Sequence, residues 1–456
     1  MPLSLCFKKP TKRRRELLPT NKLTTTLPGV QPLPSGWPSL ARVSPTPSLL
    51  PRPQRKKTVI FADFSFAKVP PIYFGAGKRQ LIPAWLQERS LSRLLLVIGG
   101  QSLKKTGMLV QIEASLQQVG LTYEIVSCTG EPTATFIDGT CNTYRDSGIQ
   151  AVVGIGGGSV VDAGKAISAM LPHHNSIVDH LEGVGKGIPH SGKKVPYLAV
   201  PTTSGTGSEV TKNAVISEVG PKGFKKSIRH ENLIPDGVIV DSDLLVTCPA
   251  HVTAACGLDA FTQLIEPYLS PTASPITDAL AWSGLTAMGP NLLVACGEGA
   301  NNLAVREAMA YGSLLSGICL ANAGLGIVHG LASPLGGFFP IPHGVVCGTL
   351  LATATEANWK ALLDREPHSP AMAKMAKLGA FLMDESSREL TKAPTYYGEA
   401  LCQILRDWTQ SLQLPRLGDY GVEASDLERI VAKTRNRNNP VQLTQAEIKN
   451  LVLERL

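Results

Sequence analysis

A strand that runs directly into three glycines constrains this chain more than any other stretch. Ala151-Val152-Val153-Gly154-Ile155 is apolar and strand-length, Gly156-Gly157-Gly158 closes it, and Ser159 to Lys165 returns to helical spacing. An apolar run without polar alternation fits a parallel strand covered on both faces, and parallel neighbours require crossover helices. The flanking sequence supplies them. Leu94 to Ile98 is a second compact apolar run, closed by Gly99-Gly100, and Met108 to Val119 has helical period. Tyr123 to Val126 reads as a strand before the Glu131-Pro132-Thr133 turn, and Tyr197 to Val200 as another. This alternation predicts a doubly wound α/β domain over residues 58–246. After Val246 the strand signals stop. Segments near 250–269, 275–296, 301–321, 350–363, 370–383, 386–412, 423–434 and 443–455 have helical period, so 247–456 is expected to be an all-α domain. Thr444 and Glu447 form a capping-box pattern before the last of these helices.

The net charge of +8 points toward nucleic acid only until its distribution is followed. Residues 1–57 carry twelve Lys or Arg against Glu16 alone, a balance of +11, whereas the remaining 32 basic and 35 acidic residues give −3. The body is near neutral and no nucleic-acid partner is expected. The tail is rich in Pro, Ser and Thr without periodicity and reads as disordered. An inert extension is the favoured reading. An organelle-targeting peptide and a basic arm for an anionic partner are the alternatives, the first weakened by prolines that spoil an amphipathic helix. No apolar run of about 18 residues occurs, so no membrane span is expected. The nine cysteines are scattered, odd in number and lack any C-x-x-C pair, which favours reduced thiols and a cytoplasmic location.

Two loops carry phosphate-binding character. At Gly156-Gly157-Gly158-Ser159 the strand, the glycines and the following helix N-terminus let backbone N–H groups approach an anion. A tight turn would need one glycine, not three. Pro201-Thr202-Thr203-Ser204-Gly205-Thr206-Gly207-Ser208 follows another apolar strand, and a second such loop at a strand's carboxyl end suits the ligand crevice of an open α/β sheet.

The helical half holds a different chemistry. His329 and His343 stand fourteen positions apart in the stretch from Asn322 to Gly348, whose glycines and prolines make an ordinary core helix a poor choice. Alone, two such histidines are more often buried, hydrogen-bonded residues than ligands. Upstream, Leu258, Phe261, Ile265 and Tyr268 recur at helical spacing, which puts Asp259, Gln263 and Glu266 together on another face. A carboxylate facing two imidazoles makes an N/O site for a divalent transition metal.

Taken together, GIGGGSVVDAGKAIS, PTTSGTGSEVTKNAVI, GLDAFTQLIEPYLS and NAGLGIVHGLASPLGG with IPHG resemble the iron-containing (group III) alcohol dehydrogenase family, from about Ala67 to Leu456. The resemblance implies an N-terminal nucleotide-binding α/β domain, a C-terminal all-α domain and a cleft between them for NAD(P) and a divalent metal, the architecture also seen in dehydroquinate synthase-like proteins. Gly156, Gly157, Gly158 and Ser159 match the family's pyrophosphate loop; Asp162 and Lys165 match positions near the nicotinamide, and Thr202, Thr203 and Ser208 match the second cofactor loop. Asp259, His329 and His343 match three metal ligands.

Three departures bear on chemistry. Where the family usually has a fourth ligand, a histidine one turn after the aspartate, this chain has Gln263, a weaker and harder donor that stands as a weak ligand or a substrate-orienting amide. Relatives resembling glycerol dehydrogenase manage with one Asp and two His, so Zn²⁺ or Fe²⁺ remains the expected metal. A family histidine assigned to proton relay is Ser333 here. The loop after the first strand, Gly99-Gly100-Gln101-Ser102, lacks the carboxylate that would hold a ribose 2′-hydroxyl, which leans the cofactor toward NADP, with Lys104 or Lys105 at hand. The implied reaction is metal-assisted hydride transfer between nicotinamide and a small alcohol or aldehyde, and oligomers, often dimers, are common in the family. A metal-independent reductase resembling maleylacetate reductase, a 3-dehydroquinate synthase-like lyase and a nucleotide-binding pseudoenzyme are the alternatives.

Overall fold

The structure, a computed structural model, describes residues 63–385 and 390–456, so the expectations for the tail at 1–57 lie outside the described residues. Its first half is built on β1 (Ile72–Phe74), β2 (Arg93–Ile98), β3 (Thr122–Ser127), β4 (Ala151–Gly156), β5 (Tyr197–Pro201) and β8 (Gly237–Val240), with β6 (Asn213–Glu218) and β7 (Phe224–Arg229) between the last two. The six-stranded sheet has the order β1-β8-β5-β4-β2-β3, every pair parallel. Helices α1 (Ile82–Gln87), α2 (Ser102–Lys105), α3 (Met108–Gln118), α4 (Ala134–Tyr144) and α5 (Gly158–Met170) cover its faces. In β2, Leu95 and Val97 enter one core and Leu94, Leu96 and Ile98 the other, all fully buried, which is why that strand has no polar alternation.

Register places the site. Ile98 pairs with Ile155, Ile155 with Val200 and Gly156 with Pro201, so β2, β4 and β5 end level with one another. Gly99, Gly157 and Thr202 therefore leave the sheet along one edge, and the Thr202 N–H bonds the Gly156 carbonyl at 2.8 Å.

From Ala250 onward the described residues are helical or irregular: α6 (Ala250–Leu269), α7 (Pro275–Met288), α8 (Leu292–Cys296), α9 (Leu303–Ala323), α10 (Ile327–Phe338), α11 (His343–Arg365), α12 (Pro370–Leu382), α13 (Pro394–Ser411), α14 (Leu427–Lys433) and α15 (Gln445–Leu453). The Thr444 capping box opens α15 as its sequence predicts. Buried Arg306 on α9 ties down the start of α6, donating to the Ala300 carbonyl at 2.7 Å, Thr253 Oγ1 at 2.8 Å and the Cys248 carbonyl at 3.1 Å. By length and composition α9 could cross a membrane, but it is mostly buried against α6 and α7 as a core helix. Buried residues of both halves, from Leu95 to Val452, form one contiguous apolar cluster.

The structure corrects the reading of 322–348. Most of it is helical: α10 runs through Pro334, and α11 starts at His343 directly after Pro342. Pro342 precedes the first helical residue, where no intrahelical N–H is needed, and burial of Ile327, Val328, Leu331 and Leu335 outweighs the low propensity of the glycines. The β6–β7 hairpin is a second feature that the alternation pattern did not announce.

Candidate active site

Close helix packing brings the candidate ligands together. A Cβ at Gly344 would lie 2.7 Å from the Ala255 carbonyl oxygen, so only glycine lets the first turn of α11 press against α6. That approach brings His343 to Asp259, while α10 brings His329 from the other side. His329 Nε2 lies 3.3 Å and His343 Nε2 3.8 Å from Asp259 Oδ1. The two imidazole rings stand 5.5 Å apart, centroid to centroid.

Glu266, two turns after Asp259 on α6, orients the first imidazole. Its Oε1 accepts the Val328 N–H at 2.7 Å and its Oε2 accepts His329 Nδ1–H at 2.6 Å. With Nδ1 committed to a carboxylate, Nε2 is turned toward Asp259, whose buried Oδ1 has no hydrogen-bond partner of its own. Burial opposes ionisation of Asp259, but His343, His329 and the Gln263 amide outweigh it and hold the carboxyl well below the usual range. Burial likewise opposes a charged His329, and Cys347, Glu266 and Asp259 raise it well above its ordinary value. Burial pushes His343 down to about 4 despite the attraction of Asp259, leaving a neutral imidazole whose Nδ1 is unpartnered. The surroundings of His329 favour positive charge at this point, which a divalent cation would supply. The donor set therefore fits a divalent metal.

Gln263 is placed differently from a ligand. Its carbonyl oxygen accepts from Ser316 Oγ at 3.2 Å, so the expected weak fourth ligand is turned toward α9. Cys347, one turn after His343, has no sequence signal of its own, because a cysteine four residues on carries meaning only once α11 is known to begin at His343. Its sulfur lies 3.6 Å from His329 Nε2 and 3.8 Å from His343 Nε2.

Two adjoining cavities of about 300 and 890 Å³ share Glu131, Gly158, Ser159, Thr206 and His343 in their walls. The first also takes in Asp162, Ser208, Gln263, His329 and Ser333, joining the loop expected to bind cofactor to the histidines. The second contains Asp259 and an apolar wall of Phe339, Pro340 and Ile341. Gly99, Gly156, Gly157, Thr202 and Thr203 sit at the ends of β2, β4 and β5, outside the walls of these two cavities. A Cβ at Gly158 would lie 2.4 Å from the Thr206 methyl, so the second loop rests directly on the start of α5. The combination of strand end, glycines, α5 N-terminus and adjoining cavity fits a dinucleotide's pyrophosphate.

The structure corrects the expected role of Lys165. It is 1% exposed, and its ammonium reaches the Ser208 carbonyl at 2.6 Å, the Asn213 carbonyl at 2.7 Å, and Ser208 Oγ and Thr211 Oγ1 at 3.0 Å. It locks the second loop to α5 from beneath and does not reach the cleft. Asp162 works with it, accepting from Ser208 Oγ and from the Val215 N–H at 3.1 Å. Lys225 pairs with Glu131 beside the histidines, and its carbonyl accepts from Ser333 Oγ at 3.2 Å. A third cavity, reached from the His329 side, has Lys212, Lys226, Arg229, Lys433, Arg435 and Arg437 in its walls against Glu182, a field that attracts anionic ligands.

A sequence model described as iron-containing alcohol dehydrogenase matches residues 70–242, and one described as the C-terminal part of the Fe-containing alcohol dehydrogenase family matches 253–456. Probable alcohol dehydrogenase EutG of Salmonella typhimurium is 31% identical over 393 residues, 84% of this chain and 92% of that protein. Alcohol dehydrogenase 4 of Saccharomyces cerevisiae is 31% identical over 389 residues, 83% of this chain and 95% of that one. The NADPH-dependent butanol dehydrogenase of Clostridium saccharobutylicum is 29% identical, with 83% and 95% covered. A solved structure of 1,3-propanediol oxidoreductase superposes with a TM-score of 0.77 at 29% identity, covering 87% of this chain and all of that one.

Proposed function

The chain belongs to the iron-containing alcohol dehydrogenase family, and from that premise we propose that Asp259, His329 and His343 hold the metal of an NADPH-preferring reductase of small, largely apolar aldehydes. Membership makes it an NAD(P)-dependent oxidoreductase with a divalent metal and alcohol or aldehyde substrates. The observation that carries the site assignment is the buried, unpartnered Asp259 oxygen facing two imidazole nitrogens on separate helices.

The division of labour follows from the geometry. When bound, the metal supplies Lewis acidity and the nicotinamide supplies hydride exchange. Gly156, Gly157, Gly158 and Ser159 would hold the pyrophosphate, with Thr202, Thr203 and Ser208 beside it; Asp162 and Lys165 keep the two loops in register. Gly99 would leave room for the adenosine at the end of β2, and the exposed Lys104 and Lys105 of α2 would meet a 2′-phosphate. Phe339, Pro340 and Ile341 exclude water from the substrate carbon chain. Ser333, whose hydroxyl already donates to the Lys225 carbonyl, offers a lone pair for a proton relayed through water. The described cysteines are all free, which supports a reducing, cytoplasmic location.

Absorbance assays with short aldehydes test this reading. A higher kcat/KM with NADPH than with NADH is expected, narrowed several-fold in a Lys104→Glu/Lys105→Glu variant. An NADH preference overturns the cofactor assignment, and failure of both cofactors with small aldehydes and alcohols overturns the substrate assignment.

A further inference from the structure

We propose that Cys347 is the fourth protein ligand, so that this chain holds its metal with a carboxylate, two imidazoles and a thiolate. The proposal rests on the metal assignment of Asp259, His329 and His343 and adds a donor of different chemistry to it.

Distances carry the argument. One donor atom from each of Asp259, His329, His343 and Cys347 lies within 4.8 Å of all the others. Metal–nitrogen and metal–oxygen bonds of about 2.0–2.1 Å and a metal–sulfur bond of about 2.3 Å place tetrahedral ligand atoms roughly 3.3–3.6 Å apart. The observed separations are 3.3 Å for His329 Nε2 to Asp259 Oδ1, and 3.6 and 3.8 Å from Cys347 Sγ to His329 and His343 Nε2. The Asp259 to His343 separation is also 3.8 Å. These four edges are those of a coordination tetrahedron, expanded by at most about half an ångström, and the two remaining donor pairs lie within 4.8 Å.

The bland alternative is that Cys347 is a small buried apolar residue. Buried cysteines elsewhere behave that way: Cys141 Sγ points to the Ile167 carbonyl and Cys319 Sγ to the Thr277 carbonyl. Cys347 is fully buried yet faces two imidazole nitrogens and a carboxylate, whose Oδ1 has no hydrogen-bond partner. Gln263 does not complete the set, because its carbonyl oxygen accepts from Ser316. On metal binding the S–H bond breaks, a sulfur–metal bond forms and the proton leaves to solvent, with no change of oxidation state. A mixed S/N/O set with one soft donor favours Zn²⁺ over a harder cation.

Cobalt substitution tests the assignment independently of turnover. Chelator-treated full-length protein is loaded with Co²⁺, bound metal is quantified, and the near-ultraviolet spectrum is recorded for wild type, Cys347→Ser and the remote control Cys402→Ser. A thiolate-to-cobalt charge-transfer band in wild type and Cys402→Ser, lost in Cys347→Ser together with an at least roughly tenfold weaker Co²⁺ affinity, is the expected result. Bound Co²⁺ without that band in wild type overturns the thiolate ligand and leaves the three-residue site standing, whatever the variant's stability. A band that survives in folded Cys347→Ser also overturns it. Failure of wild type to bind Co²⁺ or Zn²⁺ at all overturns the metal assignment as well.

Discussion

Replacing Glu266 by Gln keeps the shape of the α6–α10 contact and changes its chemistry at one atom. The Gln carbonyl can still accept the Val328 N–H at 2.7 Å, so the backbone of α10 stays satisfied. The other end becomes an amide donor facing His329 Nδ1, at a position where a carboxylate now accepts at 2.6 Å. Two donors cannot share that line, so the imidazole must present Nδ1 as an acceptor and carry its proton on Nε2, the nitrogen aimed at Asp259. A protonated Nε2 cannot ligate. Loss of such an orienting carboxylate typically weakens metal binding about 10–100-fold, or about 1.4–2.7 kcal/mol. Competition with a chromophoric chelator would measure the Zn²⁺ dissociation constant of wild type and Glu266→Gln side by side. An unchanged constant in a variant with native circular dichroism would refute the claim that Glu266 fixes the ligating tautomer.

Other perturbations probe the scaffold. Lys165→Met removes an ammonium held by four protein acceptors and leaves Asp162 uncompensated, so urea unfolding should show a loss of about 3–5 kcal/mol; a loss below about 1 kcal/mol would mean the clamp is dispensable. His190 is pushed down to about 4, first by burial and then by His173, His180 and His230, against a hydrogen bond to the Ala169 carbonyl. Its Nδ1 already accepts the Gly192 N–H at 3.0 Å, so protonation would set donor against donor. Because the unfolded chain binds that proton near the ordinary histidine value, stability is full above about pH 6.5 and falls through the window down to about pH 4, by at most about 1.4 kcal/mol per pH unit from this group. His190→Gln should flatten that part of the urea-midpoint profile, and an identical slope would assign the acid sensitivity elsewhere.

Much of the fold was legible because buried parallel strands leave a signature that few other structures share. The apolar runs at Leu94 to Ile98 and Ala151 to Ile155 lie within β2 and β4, and the switch to helical period after Val246 matches the last strand at Val240 and the first long helix at Ala250. What stayed hidden depends on tertiary contact. The β6–β7 hairpin is half-buried and polar in places, with Lys225 and Lys226 in β7, so neither period stands out. Helices α10 and α11 are rich in Gly and Pro, residues tolerated there because they allow backbones to approach, as Gly344 does at Ala255. Asp259, His329 and His343 stand out by residue type and match the ligand positions that the family resemblance implies, but Glu266 and Cys347 take on roles only after three helices are docked. The error over Lys165 has the same origin: a lysine on a helix beside a glycine loop suggests a ligand contact, and only the packed loop shows its ammonium facing inward.

The cluster at Asp259, His329 and His343 is assigned a metal that turnover requires. Metal content by mass spectrometry, measured on wild type and His329→Ala purified without chelator and paired with NADPH-dependent aldehyde reduction before and after metal removal, tests it most directly. Near-stoichiometric Zn²⁺ or Fe²⁺ in wild type, little in His329→Ala, and activity that vanishes on chelation and returns with the metal are expected of that assignment. Metal-free wild type that turns over at the undiminished rate would contradict it.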